Sequence, residues 1–170
     1  QQLARMLGPE RVIWRYDPIL LCNGLSIAEH LRRFDLLATQ LAGSTLRVVI
    51  SLADLYPRVL RNLQQIAGLE LHSALTPDEL AQLVCGLVQV AQRHGMAIFS
   101  CAESLPLEQW GIARGKCIDE QLIQQLFGIT LAGWKDPGQR EACLCIKSVD
   151  IGSYQSCLHG CHYCYATTNA

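Results

Sequence analysis

Leu46-Arg47-Val48-Val49-Ile50-Ser51 is the stretch whose reading decides the fold. Its apolar run is nearly continuous, as expected of a parallel strand buried on both faces. Upstream lies Ser26-Ile27-Ala28-Glu29, a capping box in which Ser26 and Glu29 each satisfy the other's orphan amide. The helix it opens carries Ile27, Leu31, Phe34, Ala38 and Leu41 on one stripe, and Gly43 fits the position just past its end. A short β-rich run from Arg11 to Tyr16 precedes that helix. It is expected to stop at Asp17-Pro18, because proline blocks extension of the ladder.

Downstream the alternation repeats. Tyr56 to Ile66 reads as a helix with Pro57 in its first turn. Thr76-Pro77-Asp78-Glu79 marks another helix start, with proline at the first position and acids facing the positive helix end. That helix runs along Leu80, Leu83, Val84, Leu87 and Ala91 and stops at Arg93-His94-Gly95. Met96 to Cys101 is the third strand, and a last helix spans Ile118 to Phe127 with Ile118, Leu122, Ile123 and Leu126 inward. From Gly133 onward periodicity disappears, and Asp136-Pro137-Gly138 is a turn signal.

Strand, helix, strand, helix, strand, helix predicts right-handed βαβ units and a parallel sheet, hence an α/β fold. Units this few cannot close a (β/α) barrel, which takes about 250 residues in its eight-unit form. The expected architecture is the C-terminal half of a TIM-like barrel, or a partial barrel, with an open doubly wound sheet as the alternative. Residues 1–132 form the βα-repeat region, and residues 133–170 a cysteine-rich loop region packed on the same domain. The chain opens at Gln1, partway into what reads as a helix, and is expected to continue upstream.

With 170 residues, half of them hydrophobic, the chain can bury one sizeable core. Its net charge of −1, from interspersed acids and bases, leaves no nucleic-acid footprint. No apolar run approaches the roughly 20 residues of a membrane span, and no signal-peptide pattern is visible. Nine cysteines are present, five of them between positions 143 and 164. A secreted disulfide scaffold would be shorter and poorer in aliphatic residues. These features point to a reducing cytoplasm, with the cysteines as metal ligands and core residues.

Cys157-Leu158-His159-Gly160-Cys161-His162-Tyr163-Cys164 packs three cysteines, spaced C-x3-C-x2-C, into eight residues. Soft thiolates at that density select an iron–sulfur cluster, zinc or copper(I). Structural zinc sites want four ligands, usually as two separated pairs. Three thiolates instead leave one iron of a 4Fe–4S cubane without a protein ligand, open to a substrate or cofactor.

The same loop, with Tyr163 directly before its last cysteine, resembles the cluster loop of the radical S-adenosylmethionine (SAM) superfamily. Cys161-His162-Tyr163-Cys164-Tyr165 is most similar to the spore photoproduct lyase branch. Over nearly the whole chain, three further strings resemble a prokaryotic family known only as a domain of unknown function. They are Arg11-Val12-Ile13-Trp14-Arg15-Tyr16-Asp17-Pro18, Gly115-Lys116-Cys117-Ile118-Asp119 and Asp150-Ile151-Gly152-Ser153-Tyr154-Gln155-Ser156-Cys157. The radical SAM resemblance implies that Cys157, Cys161 and Cys164 hold a 4Fe–4S cluster whose open iron chelates SAM. It further implies a reductant protein of ferredoxin or flavodoxin type, and hydrogen abstraction from a substrate the sequence does not name. In that superfamily the loop follows the first barrel strand, whereas here it comes last. The motif therefore argues for a cluster more strongly than for SAM chemistry.

Active sites of parallel α/β folds lie at the carboxyl ends of the strands. Here those ends are Arg15-Tyr16-Asp17, Ser51 to Asp54, and Cys101-Ala102-Glu103. Arg15, Asp17 and Glu103 are candidate catalytic or substrate-binding residues; the alternative is structural ion pairing, since buried charges need partners. Tyr163 is the candidate cofactor-binding residue, packing over the cluster. Cys101, Cys117, Cys143 and Cys145 are read as a second four-thiolate site, an auxiliary cluster or zinc. Alternatively, Cys143 or Cys145 gives the first cluster a fourth ligand and the others belong to the core. Cys22 and Cys85 read as small buried hydrophobes. His159 and His162 read as solvent-facing or as groups hydrogen-bonded near the sulfurs, and Tyr165 is given no role.

Two readings stand. One is an iron–sulfur enzyme of radical SAM type. The other is a non-catalytic iron–sulfur or zinc module serving electron transfer, redox sensing or structural stapling.

Overall fold

The computed structural model describes residues 1–72, 74–149 and 151–164; Asp150 and Tyr165, both part of the strings above, lie outside the described residues. Helix α1 (Gln2–Leu7) leads to β1 (Ile13–Ile19), α2 (Ile27–Leu41), β2 (Arg47–Leu52), α3 (Pro57–Leu63), α4 (Pro77–Arg93), β3 (Ala97–Cys101), β4 (Ala113–Gly115) and α5 (Glu120–Phe127). All four strands are parallel, in the order β1-β2-β3-β4. Order across the sheet follows order along the chain, so the described strands contain no reversal of the kind a doubly wound sheet requires. The α/β expectation holds: the described strands form an open sheet of parallel βα units, not a closed barrel.

Alternate side chains divide the sheet into two faces. One face buries Val48, Ile50 and Ile98, flanked by Trp14 and Tyr16, against Phe34 and Ala38 of α2 and Leu83, Leu87 and Ala91 of α4. Phe34 is fully buried, stacked on Trp14 at 4.7 Å and set edge-on to Tyr16 at 5.1 Å. Burying one such side chain contributes about 1.5–3 kcal/mol. His30 shares this interior. Its Nε2 donates to the Leu20 carbonyl at 2.9 Å, leaving Nδ1 to accept from the Tyr16 hydroxyl at 2.9 Å. A buried imidazole is thereby satisfied at both nitrogens.

The opposite face carries Arg15, Val49, Ser51, Phe99 and Cys101 by the same alternation. The Arg47 guanidinium lies over the Phe99 ring at 4.8 Å and covers part of it. This face turns toward the segment 133–149, and it positions the site.

Several expectations are corrected. β1 does not end at Asp17-Pro18 but passes through a cis bond there to Ile19, with irregular register between Tyr16 and Ile19. β1 is an edge strand, where a proline interrupts no second ladder. The box at Ser26 is only half formed. Ser26 Oγ accepts from the Glu29 N–H at 3.3 Å, but the Glu29 carboxylate pairs with Arg32 and Arg33 instead. The reciprocal box forms at Thr76 and Glu79. α3 stops at Leu63 rather than Ile66. α5 begins at Glu120 rather than Ile118, because the Asp119 side chain caps it by accepting from the Gln121 and Leu122 N–H groups. Its inward residues are half-buried, not core. Among the described residues no helix is long and apolar enough to cross a membrane.

Candidate functional site

The carboxyl ends of β1, β2 and β3 open into a cleft of about 750 Å³, and the chain leaving β4 forms part of its wall. Arg15 and Asp17 enter it from β1. Asp17 accepts from Arg15 Nε at 3.3 Å and from Nη2 of the same guanidinium, while Nη1 donates to Cys117 Sγ at 3.0 Å. Burial opposes the Arg15 charge, but hydrogen bonds to Asp17 and Cys101 outweigh it and raise its pKa. The pair is only partly buried, with Arg15 exposed and Asp17 more sheltered.

Cys101 ends β3 in register with Gly115 of β4, and Cys117 lies two residues beyond that glycine. The strands approach closely here because Gly115 has no side chain. A Cβ at that position would stand 2.9 Å from Phe99 Cβ and 3.0 Å from the Ser100 carbonyl oxygen. The consequence is a separation of 3.3 Å between Cys101 Sγ and Cys117 Sγ. The two sulfurs favour a single thiolate. The hydrogen bond from Cys117 outweighs burial and, with Arg15 beside it, brings Cys101 down to about 6. The same contact, reinforced by burial, pushes Cys117 up.

Cys143 and Cys145, both buried, face this pair from the segment 133–149. The Cys117 N–H donates to Cys145 Sγ at 3.2 Å. Asp136 N–H to Cys145 O at 3.2 Å and Lys147 N–H to Trp134 O at 2.8 Å close the segment on itself, and Ile146 N–H to Ile118 O at 3.3 Å ties it to the chain before α5. Burial also pushes the Cys143 thiol up.

At the mouth, Asp54 pairs with Arg140, whose Nη1 also donates to Tyr56 Oη at 3.3 Å. Tyr163 Oη donates to the Asp54 carbonyl at 3.3 Å, and Tyr163 lines the cleft. The three-cysteine loop is thereby tied beside the strand ends. Cys157 and Cys161 are exposed and Cys164 is half-buried. The Cys164 N–H donates to the Cys161 carbonyl at 2.9 Å, and Gly160 takes the left-handed conformation at φ 62°. His159 and His162 are exposed on the same loop.

Arg15, Asp17, Cys101, Cys117, Cys143, Cys145 and Tyr163 therefore meet around one cleft. Glu103 does not. Its carboxylate accepts from the Leu52 N–H at 3.3 Å and borders a neighbouring cavity of about 340 Å³ with His72 and Leu75. Cys22 is buried away from the cleft, and Cys85 is half-buried in α4. Arg140 had no motif to mark it, being 86 residues from Asp54 in a stretch without periodicity. No disulfide joins any of the nine cysteines, all of them among the described residues. Their donor chemistry suits a soft metal. Yet among the described residues no three His, Cys, Asp or Glu side chains stand together as they would to hold a metal ion.

Fold and site together define an open parallel α/β protein with a thiol-lined cleft at the carboxyl ends of its strands. The chain matches a domain of unknown function (DUF1848) over residues 1–166 and belongs to that family. No curated protein and no solved structure matches it.

Proposed function

We propose that the chain is an iron–sulfur protein acting as a radical SAM-like enzyme, with Cys157, Cys161 and Cys164 as ligands of a 4Fe–4S cluster. The observation that carries this reading is the hydrogen bond from Tyr163 to the Asp54 carbonyl, 3.3 Å long, which anchors the cysteine loop where parallel α/β folds perform chemistry. The donor set fits a cluster in kind: three thiolates on one short loop, two of them exposed. When bound, such a cluster with one open iron supplies an electron to SAM, delivered by a ferredoxin- or flavodoxin-type partner in a reducing cytoplasm.

The chain's own residues have simpler tasks. Tyr163 holds the loop against the sheet and, with Tyr154, narrows the mouth of the cleft and limits water entry. Arg140, positioned by Asp54 and Tyr56, presents guanidinium donors suited to a carboxylate. Arg15 and Asp17 line the floor as a fixed ion pair for a polar substrate group.

The test is anaerobic reconstitution with iron and sulfide. The wild-type chain should retain about four irons and four sulfides in the loop cluster, and Cys157→Ala/Cys161→Ala/Cys164→Ala should lose that complement. Undiminished iron in that variant would refute the assignment.

A further inference from the structure

We propose that Cys101, Cys117, Cys143 and Cys145 form a second metal site, a mononuclear four-thiolate centre that takes zinc. It goes beyond the loop cluster and does not depend on it. The four residues make up the four-cysteine donor set of structural zinc sites and arrive as two pairs from separated parts of the chain. One pair spans the β3–β4 junction and the other lies on the covering segment. The pairs abut, since the Cys117 N–H reaches Cys145 Sγ at 3.2 Å.

Distance selects the kind of centre. Zinc–sulfur bonds of about 2.3 Å in a tetrahedron place neighbouring sulfurs about 3.8 Å apart. Cys101 Sγ and Cys117 Sγ stand 3.3 Å apart, within half an ångström or so of that edge. A cubane attaches each thiolate to a different iron and spreads them wider. The compact pair therefore fits two thiolates on one metal ion better than a cubane.

The surrounding groups suit the charge. Zinc with four thiolates carries a net negative charge that needs N–H donors and a nearby cation. Arg15 Nη1 donates to Cys117 Sγ at 3.0 Å, Asp17 fixes the guanidinium, and the Cys117 amide serves Cys145. No three ligands are gathered among the described residues, but Cys101 and Cys117 are, and Cys145 accepts from the Cys117 amide. A cation joining them draws the segment 133–149 onto the sheet; the bridge Lys135↔Ile146 closes the segment only on itself. Binding releases the thiol protons to solvent and is part of folding.

The test uses the whole chain, reduced and freed of metal, then titrated with zinc or cobalt(II). Wild type should bind zinc, and with zinc at a hundred times its dissociation constant alkylation of these four cysteines should slow on the order of 100-fold, while Cys157 and Cys161 stay reactive. Cobalt should give tetrahedral bands with thiolate charge transfer. Cys157→Ala/Cys161→Ala/Cys164→Ala should keep the zinc, and Cys101→Ser/Cys117→Ser should lose it. Protection of the loop cysteines alone, octahedral cobalt, or no zinc bound would overturn the proposal. The protection pattern is read on wild type, so a variant that fails to fold does not spare it. Iron lost with zinc retained in the loop variant leaves both assignments standing. Iron held by the loop with no zinc at the second site sinks only this one.

Discussion

Cys101 Sγ lies 3.3 Å from Cys117 Sγ, although the two residues are 16 positions apart. The contact follows from a parallel register in which Cys101 faces Gly115, and from a glycine that lets β4 close on β3. Neither thiol would be unusual alone. Together, with Arg15 donating to one of them, they form the most strongly perturbed ionisable pair at the floor of the cleft.

In metal-free, reduced protein, Cys101 should alkylate as a thiolate at pH values where ordinary cysteines do not. Its folded pKa is about 6, below the usual value of 9.0. The rate should therefore rise as pH rises through about 6 and level off above it. Replacing Cys117 by alanine removes the leading cause, and Arg15→Gln a further one. Each should move the midpoint upward, as followed by iodoacetamide labelling and peptide mass spectrometry. An unchanged midpoint in both would show the contact to be irrelevant to reactivity.

Gly115→Ala should cost about 1–3 kcal/mol, because the added methyl meets Phe99 Cβ and a backbone oxygen rather than a flexible side-chain end. Since β4 carries Cys117, the same substitution should slow Cys101 alkylation near neutral pH. Urea unfolding and labelling of one preparation check both. Destabilisation without any change in labelling would mean the thiol pair does not depend on this close approach.

Phe34→Ala should be among the most damaging substitutions in the chain, at about 3–5 kcal/mol, because it empties the contact between Trp14, Tyr16 and the helix layer. Leu36, half-exposed on the same helix, should change stability by no more than about 0.5 kcal/mol on replacement by alanine. Comparing the two by denaturant unfolding tests whether this helix face is the core.

Tyr163→Phe deletes one hydrogen bond, that to the Asp54 carbonyl. A net loss of about 1 kcal/mol corresponds to roughly fivefold faster local opening. Amide exchange across 151–164 should accelerate by that order while the rest of the chain is unaffected. Equal exchange in both proteins would mean the loop is held by other contacts.

Much of the fold was legible because its signals are local. The run at Val48 to Ile50, the caps at Ser26 and Thr76, and the glycines ending α2 and α4 each state their role within a few residues. β4 was not legible: Ala113-Arg114-Gly115 is too short for a period of two to show. Pro18 misled because an edge strand tolerates what an inner strand does not. His30 resembled any polar helix residue until Tyr16 and Leu20 were seen beside it. At the site, strand-end logic named Arg15, Asp17, Cys101 and Glu103 together; the structure has the first three at the cleft, while the chain's path sends the Glu103 carboxylate to the neighbouring cavity. Arg140 depends on a contact with Asp54 that no spacing announces.

The most direct measurement is the EPR spectrum of the anaerobically reconstituted and reduced chain, recorded with and without SAM. A 4Fe–4S signal that shifts when SAM is added, and that is missing in Cys157→Ala/Cys161→Ala/Cys164→Ala, is the predicted result. A cluster signal indifferent to SAM would contradict the enzyme assignment and leave a redox or structural module. No iron-based signal at all would contradict the cluster itself.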